Sequence, residues 1–266
     1  MVRLADLAAN VFKARQAVSA MLATKGLDKS FGSLVVAKTI EIALPRGVRY
    51  ALIGPNGAGK TTLINLITGM LRPDAGQILL GGEDITALSP EERVRRGLVR
   101  TFQINSLFPH LSPLEAVTLA VCERDKIART WWRPTSDYRA AVDEAYSILE
   151  QLGLAPVSTR ETRHLAYGQQ RLLEIALALA TKPKVLLLDE PAAGVPREES
   201  SELFHAITTL SQDLTVLFIE HDMELVFRLA SRIIVMVSGG ILVEGTPQEI
   251  SADPRVREVY LGGAHG

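Results

Sequence analysis

Val48-Arg49-Tyr50-Ala51-Leu52-Ile53 runs directly into Gly54-Pro55-Asn56-Gly57-Ala58-Gly59-Lys60-Thr61-Thr62 and then into Leu63–Thr68, which Gly69 stops. The first run is strand-like and the last is helical, so the glycine-rich stretch is a G-x4-G-K-T loop in a strand–loop–helix setting. Gly54, Gly57 and Gly59 let successive backbone N–H groups turn inward around phosphate oxygens, with Asn56 inside the same loop. The helix that follows adds partial positive charge at its start. Lys60 supplies a mobile charge for β- and γ-phosphates, and Thr62 stands at the same helix start. Thr61 offers a hydroxyl to Mg²⁺, a hard cation that takes oxygen ligands. The expected ligand is therefore ATP with Mg²⁺.

Further along, the apolar run Val185–Leu188 ends in Asp189-Glu190, and Leu214–Ile219 ends in Glu220-His221. Ile233–Val237 is a third apolar strand, and helical patterns separate the three. Alternation of strand and helix favours a parallel sheet, whose ligands sit at the carboxyl ends of the strands. The loop at 54–62, Asp189-Glu190 and His221 then share one edge. Asp189 is expected to reach the metal directly or through water, and Glu190 to act as general base on the attacking water.

With 47% hydrophobic and 22% charged residues, the chain has the composition of a folded globular protein. The balance of 29 basic against 30 acidic side chains argues against a nucleic-acid partner. The single cysteine, Cys122, allows no disulfide within the chain and suits a reducing compartment. No apolar run approaches the length that spans a bilayer. Asp6 and Asn10 interrupt what a signal peptide would need, so secretion is not expected. Residues 1–22 read as a separable helical extension, with Leu4, Leu7, Val11, Val18 and Leu22 at helical spacing. It either touches a membrane or partner or lies on its own domain. Residues 25–80 read as short strands and turns, ending at Gly81-Gly82. Ser89-Pro90-Glu91-Glu92 reads as a capping box. Residues 112–180 read as mostly helix, broken near 131–134 and 153–160.

Taken in order, these motifs resemble those of the nucleotide-binding subunits of ABC transporters. Gln103, in Arg100-Thr101-Phe102-Gln103-Ile104, matches the family's Q-loop glutamine, which touches Mg²⁺ and the attacking water. Leu165-Ala166-Tyr167-Gly168-Gln169 is similar to the LSGGQ signature, and Asp189 follows Gln169 by twenty residues. His221 matches the switch histidine. Phe31 falls where the family stacks an aromatic on adenine. The resemblance covers residues 24 to about 262.

It implies an α/β fold: a P-loop NTPase core with a mostly parallel sheet, an antiparallel β subdomain near the N-terminus and a helical subdomain at about 105–180. The domain is expected over 23–262, with a tail at 263–266. It also implies an ATPase whose two copies, homodimer or heterodimer, meet head to tail. Ala166, Gly168 and Gln169 then face the γ-phosphate held by the partner. Two departures stand out: Ala166 and Tyr167 replace a serine and a glycine, which should weaken binding across the dimer, and Pro196 replaces an acid or amide.

Arg100–Gln103, Leu107–Leu111, the Tyr167–Gln170 form of the signature, Pro191–Gly194, Ile219–Met223, Val243–Pro247, Asp253–Val256 and Tyr260-Leu261 resemble the branch that imports branched-chain amino acids and related small polar solutes. Lipopolysaccharide or lipid export is the alternative. The implied partners are transmembrane permease subunits, a second ATP-binding subunit and, indirectly, a periplasmic or extracellular solute-binding protein. The implied location is the cytoplasmic face of the cell membrane. Ile104–Leu111, with exposed Leu107 and Phe108, is expected to receive a short helix of the membrane subunit.

Overall fold

The computed structural model describes residues 20–101, 107–127 and 135–261. The first nineteen residues of the helical extension expected at 1–22, the Q-loop residue Gln103, the tryptophan pair 131–132 and the tail at 263–266 lie outside the described residues. Two sheets form the frame. The first has four antiparallel strands in the order β2-β1-β4-β5, with β1 Leu22–Phe31, β2 Leu34–Leu44, β4 Ala75–Leu80 and β5 Glu83–Asp84. The second has six strands in the order β10-β9-β3-β8-β7-β6. They are β3 Arg49–Ile53, β6 Leu98–Arg100, β7 Val185–Asp189, β8 Thr215–Ile219, β9 Arg232–Val237 and β10 Gly240–Gly245. All pair in parallel except the edge strand β10, which returns antiparallel to β9.

Period-two alternation explains why this second sheet is buried on both sides. Ala51, Ile53, Leu186, Leu188, Val216 and Phe218 face one core. It is completed by α3 Pro113–Arg124, α4 Thr135–Gln151, α5 Tyr167–Ala180 and α6 Arg197–Thr209. The alternate residues Tyr50, Leu52, Val185, Leu187, Leu217 and Ile219 face a second core shared with the antiparallel sheet and with α1 Lys60–Thr68. Each such side chain taken from water contributes about 1.5–3 kcal/mol.

Leu22 corrects one expectation. It is not the end of an opening helix but the fully buried first residue of β1, paired with Leu44 and Leu80. Its apolarity serves a sheet, and helical spacing alone could not tell the two apart.

Helix ends follow the expected chemistry. Ser89 caps α2 Pro90–Arg96, with Glu92 returning the bond to the Ser89 N–H. The same Ser/Thr-Pro-x-Glu pattern starts α3 at Ser112 and α8 Pro247–Ala252 at Thr246. The break expected at 153–160 is a pair of turns around the short 3-10 helix Ala155–Val157. The remaining helices are α7 Met223–Leu229 and α9 Pro254–Leu261. Among the described residues, no helix is long and apolar enough to cross a membrane.

Candidate active site

Because β3, β6, β7 and β8 run the same way, their carboxyl ends deliver Gly54, Arg100, Asp189 and Glu220-His221 to one edge of the sheet. The loop after β3 is tight. Gly59 has φ 102°, and a β-carbon there would meet the Val36 carbonyl oxygen at 2.4 Å. A β-carbon on Gly54 would lie 2.1 Å from the Met236 carbonyl oxygen. No side chain fits at either position, so the backbone itself forms the wall. Asn56, Gly57 and Thr61 are exposed, Thr62 is half-buried, and Lys60 is buried. The Lys60 ammonium donates to the carbonyls of Gly54 and Pro55 at 2.6 and 3.0 Å. Burial lowers its pKa from the ordinary lysine range, and the negative charges of Glu190 and Asp189 oppose that shift. The lysine is thus held in the curl of the loop, within the field of both carboxylates.

Asp189 closes β7 and forms an ion pair with the Arg100 guanidinium. The other terminal nitrogen of Arg100 donates to Asn65 Oδ1 on α1 at 2.9 Å. Glu190 has φ 49°, a left-handed backbone unusual for a residue with a side chain. Its N–H donates to the Ile219 carbonyl at 3.0 Å, which ties the turn to β8. Its carboxylate lies 2.7 Å from His221 Nε2. The two residues expected to handle the attacking water therefore share a hydrogen bond. Beneath them Glu220 is buried and accepts from the Ala192 and His221 N–H groups at 2.9 and 3.2 Å. Burial raises its pKa from the ordinary carboxylate value, and those two bonds oppose the shift. Tyr260 on α9 keeps 40% of its surface exposed, and partial desolvation raises its phenol to about 12, opposed by the nearby Gly54 backbone.

The metal expected here fits the donors present. Among the described residues no cluster of three or more His, Cys, Asp or Glu could hold a metal unaided. Thr61 and Asp189 offer only oxygen, as Mg²⁺ prefers when phosphates supply its other ligands. The Arg100 guanidinium on Asp189 is a cation already standing at that carboxylate.

Within one chain the signature segment packs beside the residues after Glu190 rather than at the loop of residues 54–62. At the start of α5, Ala166 gives no side-chain cap, and Gln169 Oε1 accepts from the Ala166 N–H at 3.1 Å. The Gly168 N–H donates to Glu199 Oε2 at 2.7 Å. One of the amides expected to meet a phosphate is therefore bonded to a carboxylate of α6. Tyr167 is held on both sides. Its hydroxyl sits against Gly194 and accepts from Arg171 at 3.2 Å, while the Arg171 guanidinium lies 5.4 Å from its ring centre. Arg171 also donates to the Ala193 carbonyl at 3.3 Å and pairs with Glu174 at 3.1 Å. Phe31 stands exposed at the end of β1 with Lys29 Nζ 5.6 Å from its ring centre.

Sequence reasoning did not single out Arg100, Asn65, Arg171, Glu199 or Glu220. Glu220 carried a usable signal, a carboxylate ending an apolar strand as Asp189 does. The others are charged or polar residues on helices or strand ends, indistinguishable from solvated ones until their partners are placed.

Comparison with known proteins follows the same lines. The family model described as "ABC transporter" matches residues 37–193, and one described as "Branched-chain amino acid ATP-binding cassette transporter" matches residues 241–266. The chain is 39% identical over 251 residues to the high-affinity branched-chain amino acid transport ATP-binding protein LivG of Escherichia coli K12, covering 92% of this chain and 98% of that protein. It is 38% identical to the high-affinity branched-chain amino acid transport ATP-binding protein BraF of Pseudomonas aeruginosa, at the same coverage. Among solved structures, the ADP conformation of an ATP-binding cassette of an ABC transporter superposes with a TM-score of 0.79 at 33% identity, covering 91% of this chain and 98% of that one.

Proposed function

This chain belongs to the ABC transporter family as an ATP-hydrolysing, nucleotide-binding subunit, and from that premise we propose that it powers uptake of branched-chain or related small amino acids through separate membrane permease subunits. The observation that carries the site is the shared edge where the phosphate loop, Asp189-Glu190 and His221 meet. The substrate class is supported by relatives named for branched-chain amino acid transport over nearly their whole length. Lipid export has no counterpart among those relatives.

In the proposed mechanism, the N–H groups of the loop at 54–62 and Lys60 bind the phosphates, and Phe31 offers a ring face to the base. Thr61, Asp189 and, through the Q-loop, Gln103 would hold Mg²⁺, which when bound neutralises charge developing on the phosphates. Glu190 takes a proton from the attacking water, and the His221 ring, 2.7 Å away, fixes the direction of its carboxylate. A partner subunit's signature helix would close the site, and the Glu199 carboxylate would have to release the Gly168 N–H for a phosphate to take it. A periplasmic or extracellular binding protein would deliver the solute, and the subunit would work at the cytoplasmic face of the membrane.

The test is co-purification with the cognate permease subunits, followed by ATPase measurement in proteoliposomes with the binding protein loaded with different solutes. Stimulation by leucine, isoleucine or valine is expected. Stimulation only by lipid would overturn the substrate class.

A further inference from the structure

We propose that Arg100 is a positioning residue for the hydrolysis reaction: it acts as the internal counter-cation of Asp189, and a divalent ion must compete with it for that carboxylate. The inference rests on the reading of Asp189 as a metal-holding acid.

Arg100 is the last residue of β6, in parallel register with Leu187 of β7, two residues before Asp189. The Thr101 N–H donates to the Leu187 carbonyl at 3.0 Å, so the backbone beneath Arg100 is pinned to the strand that carries the acid. From that anchor the guanidinium forks. One terminal nitrogen reaches Asp189 Oδ2 and the other reaches Asn65 Oδ1 on the phosphate-loop helix at 2.9 Å. The Arg100 and Asp189 side chains are only 26% and 23% exposed, so their attraction is screened less than that of a surface pair. A planar guanidinium suits this task, since it can bond two partners in a fixed direction and does not lose its charge.

Two consequences follow from the charges. A carboxylate already neutralised by a fixed cation is a poor site for a divalent ion acting alone, because the incoming ion meets a like charge. A nucleotide changes the balance, since its phosphates draw the metal in and give the guanidinium another anion. Arg100 would thus make metal binding at Asp189 conditional on nucleotide. Glu190 and Lys60 bond to other partners, His221 and the loop carbonyls, and do not compete for the Arg100 guanidinium.

The experiment titrates Mg²⁺ against binding of a non-hydrolysable ATP analogue by calorimetry, and separately measures Mn²⁺ binding without nucleotide by electron paramagnetic resonance. In Arg100→Gln the Mg²⁺ concentration that half-saturates the enhancement of analogue binding should fall about tenfold, the scale of removing one partly screened like charge. Mn²⁺ alone should also bind measurably more tightly than to the wild type. Arg100→Lys, which restores the charge, should return both values toward wild type. A merely structural arginine would lower the melting temperature in both variants and leave the two metal midpoints alone. Unchanged or raised Mg²⁺ midpoints in a folded Arg100→Gln protein, or no rescue by lysine, would overturn the proposal. Asp189→Asn separates the underlying reading: if Mg²⁺ dependence survives that change intact, Asp189 does not hold the metal, whatever Arg100 does.

Discussion

Glu190 keeps a left-handed backbone, φ 49°, at the place where its carboxylate meets His221. Such a conformation costs about 1–3 kcal/mol in a residue with a side chain, and it persists where the surroundings over-determine it. Here the bond from its N–H to β8 does so, and the carboxylate is thereby aimed at the histidine. Glu190→Gln keeps the shape and removes the base, so steady-state ATPase should fall by about 10²–10⁴-fold while Mg-ATP binding by calorimetry is retained. A second carboxylate has a different readout. Glu174 on α5 is 3% exposed, and its Oε1 has no hydrogen-bond partner among the described residues while Arg171 holds Oε2. Burial, opposed by Arg171, raises its pKa from 4.5 to about 7. The folded state therefore grips this proton more tightly than the unfolded chain does. Its contribution to stability is full below pH 4.5 and is lost as pH rises through about 7. Glu174→Gln has no such loss, so in urea unfolding it should gain on the wild type between pH 4.5 and 8, by on the order of 3 kcal/mol.

Elements, in turn, are held by groups that belong to their neighbours. α1, which carries Lys60 and Thr61, ends at Gly69 with no basic residue in its last turn. Arg93 from α2 supplies the missing charge: it is 1% exposed and donates to the carbonyls of Leu66 and Ile67 at 2.7 and 2.6 Å, and to Thr86 and Leu88 at 2.8 and 3.2 Å. A cation there also meets the negative end of the helix dipole. Arg93→Met should lower unfolding free energy by at least about 3 kcal/mol, since it strands several buried carbonyls at once. The loop before α3 divides its two large apolar residues. Leu107 packs partly buried against the core, whereas Phe108 is 61% exposed. Leu107→Ala should cost about 1–2 kcal/mol in a denaturant melt. Phe108→Ala should stay within about 0.5 kcal/mol of wild type yet reduce recovery of the assembled complex with permease subunits in a pull-down. Equal stability losses in both variants would make Phe108 part of the core instead.

At the scale of the whole molecule, one chain holds apart the phosphate loop and the signature segment that the proposed mechanism brings together. Its phosphate loop lies at the carboxyl edge of the six-stranded sheet, and its signature segment is fastened by Tyr167 and Arg171 to the turn at Ala193-Gly194 and by Glu199 to α6. That turn and the start of α5 are therefore in direct contact. If two copies close head to tail around ATP, Glu190→Gln should accumulate as a dimer in light scattering with Mg-ATP and remain monomeric without it. A Glu190→Gln protein that stays monomeric at saturating Mg-ATP would refute nucleotide-driven closure for this chain alone.

The amino-acid order by itself determined the layered α/β plan, the phosphate loop and the edge where Asp189, Glu190 and His221 gather. Period-two apolar runs, glycine spacing and capping boxes are written in neighbouring positions, and parallel strands necessarily bring their ends together. Leu22 shows the limit of that reading, because an apolar residue that extends a helical spacing can equally be the first buried residue of a strand. Only the tertiary structure decided that Arg93 caps α1, that Arg100 spans Asn65 and Asp189, and that Tyr167 and Glu199 occupy the surroundings of the signature helix. A long polar side chain is ambiguous in sequence. Its partner lies tens of residues away, and which carbonyl or carboxylate it reaches is set by how the elements pack.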